Sequence, residues 1–403
     1  MNSSEQLWTR SFVAACIGNF LLFFAFYLLL PILPLYLMEE FGTSKSAVGM
    51  ILSCYTLAAL FIRPIAGFVL DMFNRKPLYL MAFLLFVCCF SGYIMASTVS
   101  LFLLFRIMHG LTFGAVTTAG NSLIIDIMPA SRRGEGLGYF GVANNLAMAT
   151  GPMISLFLHD FANYNHVFFL AIGSGLLGFV FASTIQSNKK VERTLKQPVV
   201  LDRFFLPKGL SAAVCLLCLG APYGMTTTYV AIYGKELGIQ SGMGMFFSLM
   251  AAGLIVSRLF AGKMVDRGKL SKVILLGTVV CLVGFLLLSL LRPIQLRYPD
   301  ETLTSLLFYL VSIILGVGYG MMFPAYNTLF VNLAPNNRRA TASSTYLTSW
   351  DIGVGVGLVL GGKIADSIGG LSMSYVCAAL FSAVSFLLFW RIAAPHYEKN
   401  KLR

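Results

Sequence analysis

Apolar residues run in twelve long stretches, approximately 11–37, 47–70, 77–95, 99–124, 135–158, 166–185, 209–234, 243–265, 272–291, 304–329, 340–364 and 371–392, with short polar breaks between them. Each is close to the roughly 20 mostly apolar residues that a helix needs to cross a bilayer core. The pattern predicts an all-α membrane protein of twelve transmembrane helices. One polar interruption is longer than the rest: residues 186–208 hold six Lys or Arg. It predicts a cytoplasmic basic linker between a bundle at 1–185 and a second at 209–403, the latter ending in a short cytoplasmic tail.

The two bundles repeat one another. Arg63, Ala66, Gly67 and Asp71 return as Arg258, Ala261, Gly262 and Asp266, each 195 positions on (258 − 63). Gly110, Gly114, Asn121, Pro129, Arg132, Arg133, Gly151 and Asp160 return as Gly316, Gly320, Asn327, Pro335, Arg338, Arg339, Gly357 and Asp366, at an offset of 206 (316 − 110). Tyr27, Glu40 and Gly42 map to Tyr223, Glu236 and Gly238 at 196. A longer outer loop around Arg292 to Thr304 is expected to absorb the change in offset. A same-direction repeat of half a strongly apolar chain is the arrangement of secondary transporters whose six-helix halves rock about a central site.

Composition sharpens this picture. Of 403 residues, 58% are hydrophobic and 11% charged, against about 25% charged in soluble domains. With an inner N-terminus, about 20 Lys and Arg fall in cytoplasmic segments against about 5 outside, the asymmetry of the positive-inside rule. Both termini are then cytoplasmic, in a multi-pass protein of the plasma (inner) membrane. The net charge of +13 is directed at anionic lipid headgroups, not at nucleic acid. The first apolar stretch is too long for a signal-peptide core and reads as a retained span. All eight cysteines fall inside spans and read as small packing residues; Cys215 and Cys218 share only the spacing of a redox or metal pair. Neither a cofactor nor a metal is expected.

Several motifs carry chemistry. Gly67, Asp71, Arg75 and Lys76 follow the second span with the spacing G-x-x-x-D-x-x-x-R-K, and a degraded copy begins at Gly262 and Asp266. With Asp126, Arg132 and Arg133 near the same face, these charges can form a network that favours one gate state. Glycines four apart, Gly110 with Gly114 and Gly316 with Gly320, allow close helix approach. Pro31, Pro34, Pro152, Pro222 and Pro324 lie within spans and should bend them.

These motifs resemble the major facilitator superfamily. The loop from Gly67 to Lys76 looks like its motif A, with Asn74 in place of the usual glycine, where Asn tolerates left-handed backbone better than most residues. Arg106 with Gly110 resembles motif B of the drug and proton antiporter branch, in which the arginine is tied to coupling. Gly138, Ala147, Gly151 and Pro152 partly match that branch's fifth-span antiporter motif. The resemblance implies two pseudo-symmetric six-helix halves, a small-molecule substrate, protons as coupling ion, and a protein working as a monomer.

Ionisable groups inside the bilayer are few, and each costs at least about 2.5–3.5 kcal/mol near the midplane unless it serves a pathway or finds a partner. Asp351 in the eleventh span, whose repeat counterpart is Asn145, is the best candidate acid. Arg106 and His109 lie one turn apart in the fourth span, and the counterpart of Arg106 is Ser312. All three are coupling candidates, with interhelical pairing as the alternative. No central Asp or Glu stands in spans one, two, four or five. Asn19, Tyr27, Tyr55, Asn121, Asn145, Tyr223, Thr227, Tyr319, Phe323, Asn327 and Trp350 are the polar and aromatic residues expected to line a substrate cavity, in keeping with sites that are mostly apolar with a few placed polar groups.

The leading function is a proton-coupled exporter of a small organic molecule working by alternating access. The alternatives are an importer or facilitator of a sugar or other metabolite and, from another class, a non-transporting membrane scaffold. The chain has no phosphate-binding G-x-x-x-x-G-K-[ST] loop and no H-E-x-x-H zinc site, so an enzyme is not expected.

Overall fold

The computed structural model describes residues 6–129, 132–186, 205–239, 242–335 and 339–402. The side chains of Asp71 and Asp266, Gly138, and Arg338 of the repeat lie outside the described residues, as does most of the basic linker. The described residues are helical almost throughout, and all twelve expected spans are present. Spans two to six are Lys45–Met72, Arg75–Met95, Val99–Ile127, Arg133–Phe161 and Tyr164–Ser183. Spans seven to twelve are Leu210–Glu236, Gly244–Asp266, Leu270–Arg297, Glu301–Leu333, Arg339–Ile364 and Gly370–Leu388.

The first span is broken, as its prolines predict: Arg10–Leu29 ends just before Pro31, and Ile32–Phe41 continues beyond it. Proline lacks the amide proton that would bond back to the preceding turn. Thr9, Thr98 and Asp300 cap helix starts, Asp300 accepting from Thr302 N at 2.8 Å and Leu303 N at 3.2 Å. Among the described residues ten helical stretches are apolar enough to span by composition alone. The fifth span, which carries Asn144 and Asn145, is not among them, and the last two are counted as one run.

Two compact units emerge. One comprises Met1–Tyr36 and Cys54–Gln197, the other Leu37–Ser53 and Pro198–Arg403. In the first, span one packs on spans five and six, and span three on four and six. In the second, span seven packs on eleven and twelve, and span nine on ten and twelve. Every pair recurs six helices later, so the sequence repeat is also a repeat of packing.

The glycine pairs show the same duplication. A Cβ on Gly110 would collide with the Tyr55 carbonyl, and one on Gly316 with the Met250 carbonyl; Tyr55 and Met250 are counterparts at 195. Gly114 meets Ala59, and Gly320 meets that residue's counterpart Leu254. Spans two and four, and spans eight and ten, therefore touch backbone to backbone.

Two expectations are corrected. The segment around Arg292 to Thr304 is not a long loop: span nine runs through Pro293 to Arg297, and span ten starts at Glu301. Its extra turns are held because Arg292 Nη1 donates to the Glu236 carbonyl and Gln295 Nε2 to the Leu237 carbonyl at 2.7 Å. These bonds satisfy the open end of span seven, which a mobile loop would leave to water. Asn74 is not left-handed: it takes φ −61° and ψ 126° at the N-cap of span three. An extended cap suits most residues, so the missing motif-A glycine costs no backbone strain there.

Candidate functional site

The gate motif is built where span two ends and span three begins. Arg75, in the first turn of span three, reaches across to Asp126 in the last turn of span four. Its Nη1 lies 2.9 Å from both carboxylate oxygens, and the Asp126 side chain is nearly buried. Arg75 Nε also donates to the Leu70 carbonyl at 3.5 Å. The pair thus ties the motif loop to the fourth span. Lys76 is half-buried, and among the described residues a Cβ at Gly67 or Gly262 would meet nothing within 4 Å.

Deeper in the same unit lies a polar cluster walled by aromatic rings. Arg106 is 3% exposed and His109 fully buried. The Tyr55 ring covers the guanidinium at 4.2 Å from centroid to Cζ, a cation–π contact. Arg106 Nη1 donates to Tyr93 Oη at a long 3.5 Å, and that hydroxyl lies 2.8 Å from His109 Nδ1. The hydroxyl can donate its own proton to Nδ1, and in that tautomer the imidazole proton sits on Nε2. Phe86 and Phe90 pack on the imidazole at 4.6 and 4.8 Å. Tyr55 stacks on Phe26 at 5.4 Å, and Phe26 on Phe113 at 4.7 Å. Tyr27, half-exposed, joins this wall through Phe23.

The second unit holds its own aromatic cluster. Tyr223 contacts Tyr319 at 5.2 Å and Trp350 at 5.0 Å, while Phe323 meets Trp350 at 4.5 Å. Arg258, the counterpart of Arg63, lies within electrostatic reach of Tyr223 and of Tyr346, and Tyr346 also feels the Asp351 carboxylate. Arg258 and Asp351 thus share Tyr346 as a neighbour.

Two other residues expected at the cavity bond to backbone carbonyls. Asn19 donates to the Phe140 carbonyl at 3.2 Å, tying span one to span five. Thr227 returns its hydroxyl to its own helix at the Tyr223 carbonyl. Ala147, Gly151 and Pro152 are buried, and a Cβ on Gly151 would stand 2.7 Å from that of Tyr27. Gly151 of the partial antiporter motif thus packs against span one. Asn121 and its counterpart Asn327 are exposed, and Asn145 is half-buried.

A further cluster stands at the opposite end of the helices from the gate motif, within the second unit. Lys45 Nζ pairs with Glu236 Oε1 at 2.5 Å and Lys235 Nζ with Glu39 Oε1 at 2.9 Å. Asp366 Oδ2 accepts the Ser46 amide at 2.6 Å and so caps the start of span two from 320 positions away. Tyr229 Oη lies 2.7 Å from the Leu358 carbonyl and 3.1 Å from that of Lys45. Gly49 and Gly362 let the backbones of spans two and eleven close up. No sequence motif marks this cluster. The one available signal was the opposite charge at the repeat-equivalent positions Glu39 and Lys235.

A sequence profile described as the Major Facilitator Superfamily matches residues 15–358 and 304–403. The chain belongs to that superfamily. It is 28% identical to the multidrug resistance protein MdtG of Escherichia coli over 95% of each chain. It is 20% identical to the staphylopine export protein of Staphylococcus aureus over 89% of this chain and 90% of the relative. Among solved structures, a mutant of the peptide transporter POT bound to alafosfalin superposes with a TM-score of 0.80 at 16% identity, covering 100% of this chain and 98% of that one. At that identity the likeness speaks for the fold. Membership in the superfamily makes the protein a multi-pass membrane transporter of a small molecule and not an enzyme.

Proposed function

We propose that the protein is a proton-coupled exporter of small organic molecules that works by alternating access as a monomer in the plasma (inner) membrane, both termini cytoplasmic. The observation that carries the direction is full-length similarity to relatives named for export and for multidrug resistance. Orientation is supported by the charge asymmetry, since about 20 Lys and Arg fall in the termini, the linker and the breaks after even-numbered spans, where they can meet anionic lipid headgroups, against about 5 in the other breaks.

In this reading the Arg75–Asp126 pair is part of the inner gate, and the cluster of Lys45, Glu236 and Asp366 belongs to the outer one. Each half-cycle breaks one set of charge-assisted bonds and leaves the other intact, which suits an element with two discrete arrangements. Asp351, a carboxylate near Tyr346 in the eleventh span, is the proton carrier in this reading.

Flux in proteoliposomes under an imposed pH gradient, screened over small organic cations, anions and sugars, tests the proposal. Accumulation into vesicles that are acidic inside is the expected result. Accumulation only into vesicles that are alkaline inside would mean parallel movement of proton and substrate, and the exporter reading would be lost.

A further inference from the structure

Arg106 is a buried cation with no counter-charge among the described residues. Among the described residues no carboxylate lies within ion-pair distance of it, and its neighbours are the Tyr55 face and the Tyr93 hydroxyl. Its Nε and the Nε2 of His109, one helical turn on, are both buried without a hydrogen-bond partner. Arg106 Nε is always a donor, and His109 Nε2 is one in the tautomer whose Nδ1 accepts from Tyr93. A pair of desolvated N–H groups on one helix face, one of them charged, is a strong demand for an acceptor that itself carries negative charge.

Fold maintenance does not account for the residue. At the equivalent place in the second unit Ser312 is buried and satisfied within its own helix by the Tyr309 carbonyl at 2.7 Å. The same glycine seam lies one turn beyond each, at Gly110 and Gly316. The packing of a fourth-span equivalent is thus achieved without a guanidinium. What differs is the chemistry offered.

The surroundings define what the anion is attached to. The cation is overlain by Tyr55, and that ring continues into Phe26 and Phe113, then Phe23 and Tyr27, of which Phe23, Phe26 and Tyr27 are half-exposed. A planar apolar body can stack along this wall, by the offset and edge contacts aromatic rings prefer, while a planar anionic head meets the guanidinium fork, which matches a carboxylate's geometry.

We propose that Arg106 and His109 form the receptor for a carboxylate on the transported molecule, so that the substrate class is a small amphipathic carboxylic acid or zwitterion with an aromatic or otherwise planar apolar body. This rests on the reading of the chain as a small-molecule transporter, but not on the direction of transport or on proton coupling. In place of the coupling duty that resemblance to motif B would give Arg106, it assigns the arginine direct contact with substrate, and leaves proton carriage to Asp351.

The test is equilibrium binding to the purified full-length protein in detergent at neutral pH, with three probes that share one ring: 2-naphthoate, 2-naphthalenemethanol and 2-naphthylmethylammonium. The naphthoate should bind tightest, and Arg106→Gln should weaken it by about tenfold or more while leaving the alcohol unchanged, the scale of losing one charge-assisted pair. Arg106→Lys should recover part of that loss, since the charge returns without the fork. Preference for the ammonium probe, failure of the naphthoate to bind, or displacement of it by chloride as readily as by unlabelled naphthoate would overturn the proposal. The order of the three probes on the unmutated protein decides the matter even where Arg106→Gln fails to fold. Because no gradient enters, a failure here is distinct from failure of the exporter reading, which only flux can reveal.

Discussion

Glu39 and Lys235 form an ion pair at 2.9 Å, and each stands at the other's position in the internal repeat, 196 residues apart. Duplication would have placed like beside like. Divergence to opposite signs turned a repulsion into an attraction at the end of the helices away from the gate motif. Both side chains are close to half-exposed, so the pair adds only about 0–1 kcal/mol, a size that suits a contact made and broken in every cycle.

Reversing one charge, Lys235→Glu, should therefore leave thermal stability nearly unchanged yet speed modification of a cysteine placed at Ser46, by about two- to fivefold for a loss near 1 kcal/mol. The double exchange Glu39→Lys with Lys235→Glu should restore the original rate. Equal labelling in all three proteins would show that the pair does not hold this end closed.

Asp126→Asn removes the acceptor charge from a bidentate pair on Arg75 and should lower transport by about tenfold, the scale of a charge-assisted bond of 1.5 kcal/mol or more. Membrane abundance should stay within a factor of about two, because insertion is set by apolar length and flanking charge. Full transport by this variant would remove Asp126 from the gate.

Gly316→Val drives a branched side chain into the Met250 backbone, and overpacking of this kind costs about 1–3 kcal/mol. The melting temperature in detergent should fall by several degrees, with the matching change Gly110→Val behaving alike. Gly262→Ala, where a Cβ meets nothing within 4 Å, should melt like the parent.

Asp351→Asn keeps the size and most hydrogen bonding of the side chain but cannot carry a proton. Exchange of labelled for unlabelled substrate at equal pH should survive, while accumulation against a gradient driven by pH should disappear. Gradient-driven accumulation at the parental level would assign coupling to another group.

The spans, the repeat and the glycine seams were legible in the sequence because each rests on composition or spacing along one helix. Three features were not. The helical extension to Arg297 looked like a loop because Arg292, Gln295 and Tyr298 are polar, and only their bonds to the end of span seven reveal a helix. Tyr93 gave no sign of bridging Arg106 and His109, since the contact joins different spans. Asp366 looked like a conserved echo of Asp160 within the repeat, whereas its contact is the amide of Ser46, a backbone group that no residue pattern advertises. The ring clusters around Tyr55, Tyr223, Tyr319, Phe323 and Trp350 were legible because large rings in apolar spans must pack together; the carbonyl partners of Asn19 and Thr227 were not, because a buried amide or hydroxyl is satisfied as readily by a carbonyl as by a substrate.

Residues Leu37–Ser53 belong by sequence to the first copy and by packing to the second unit. The chain therefore passes between the two units at three places, after Tyr36, after Ser53 and after Gln197. Severing the linker should leave two polypeptides that still copurify, because the first fragment carries a handle already seated in the second.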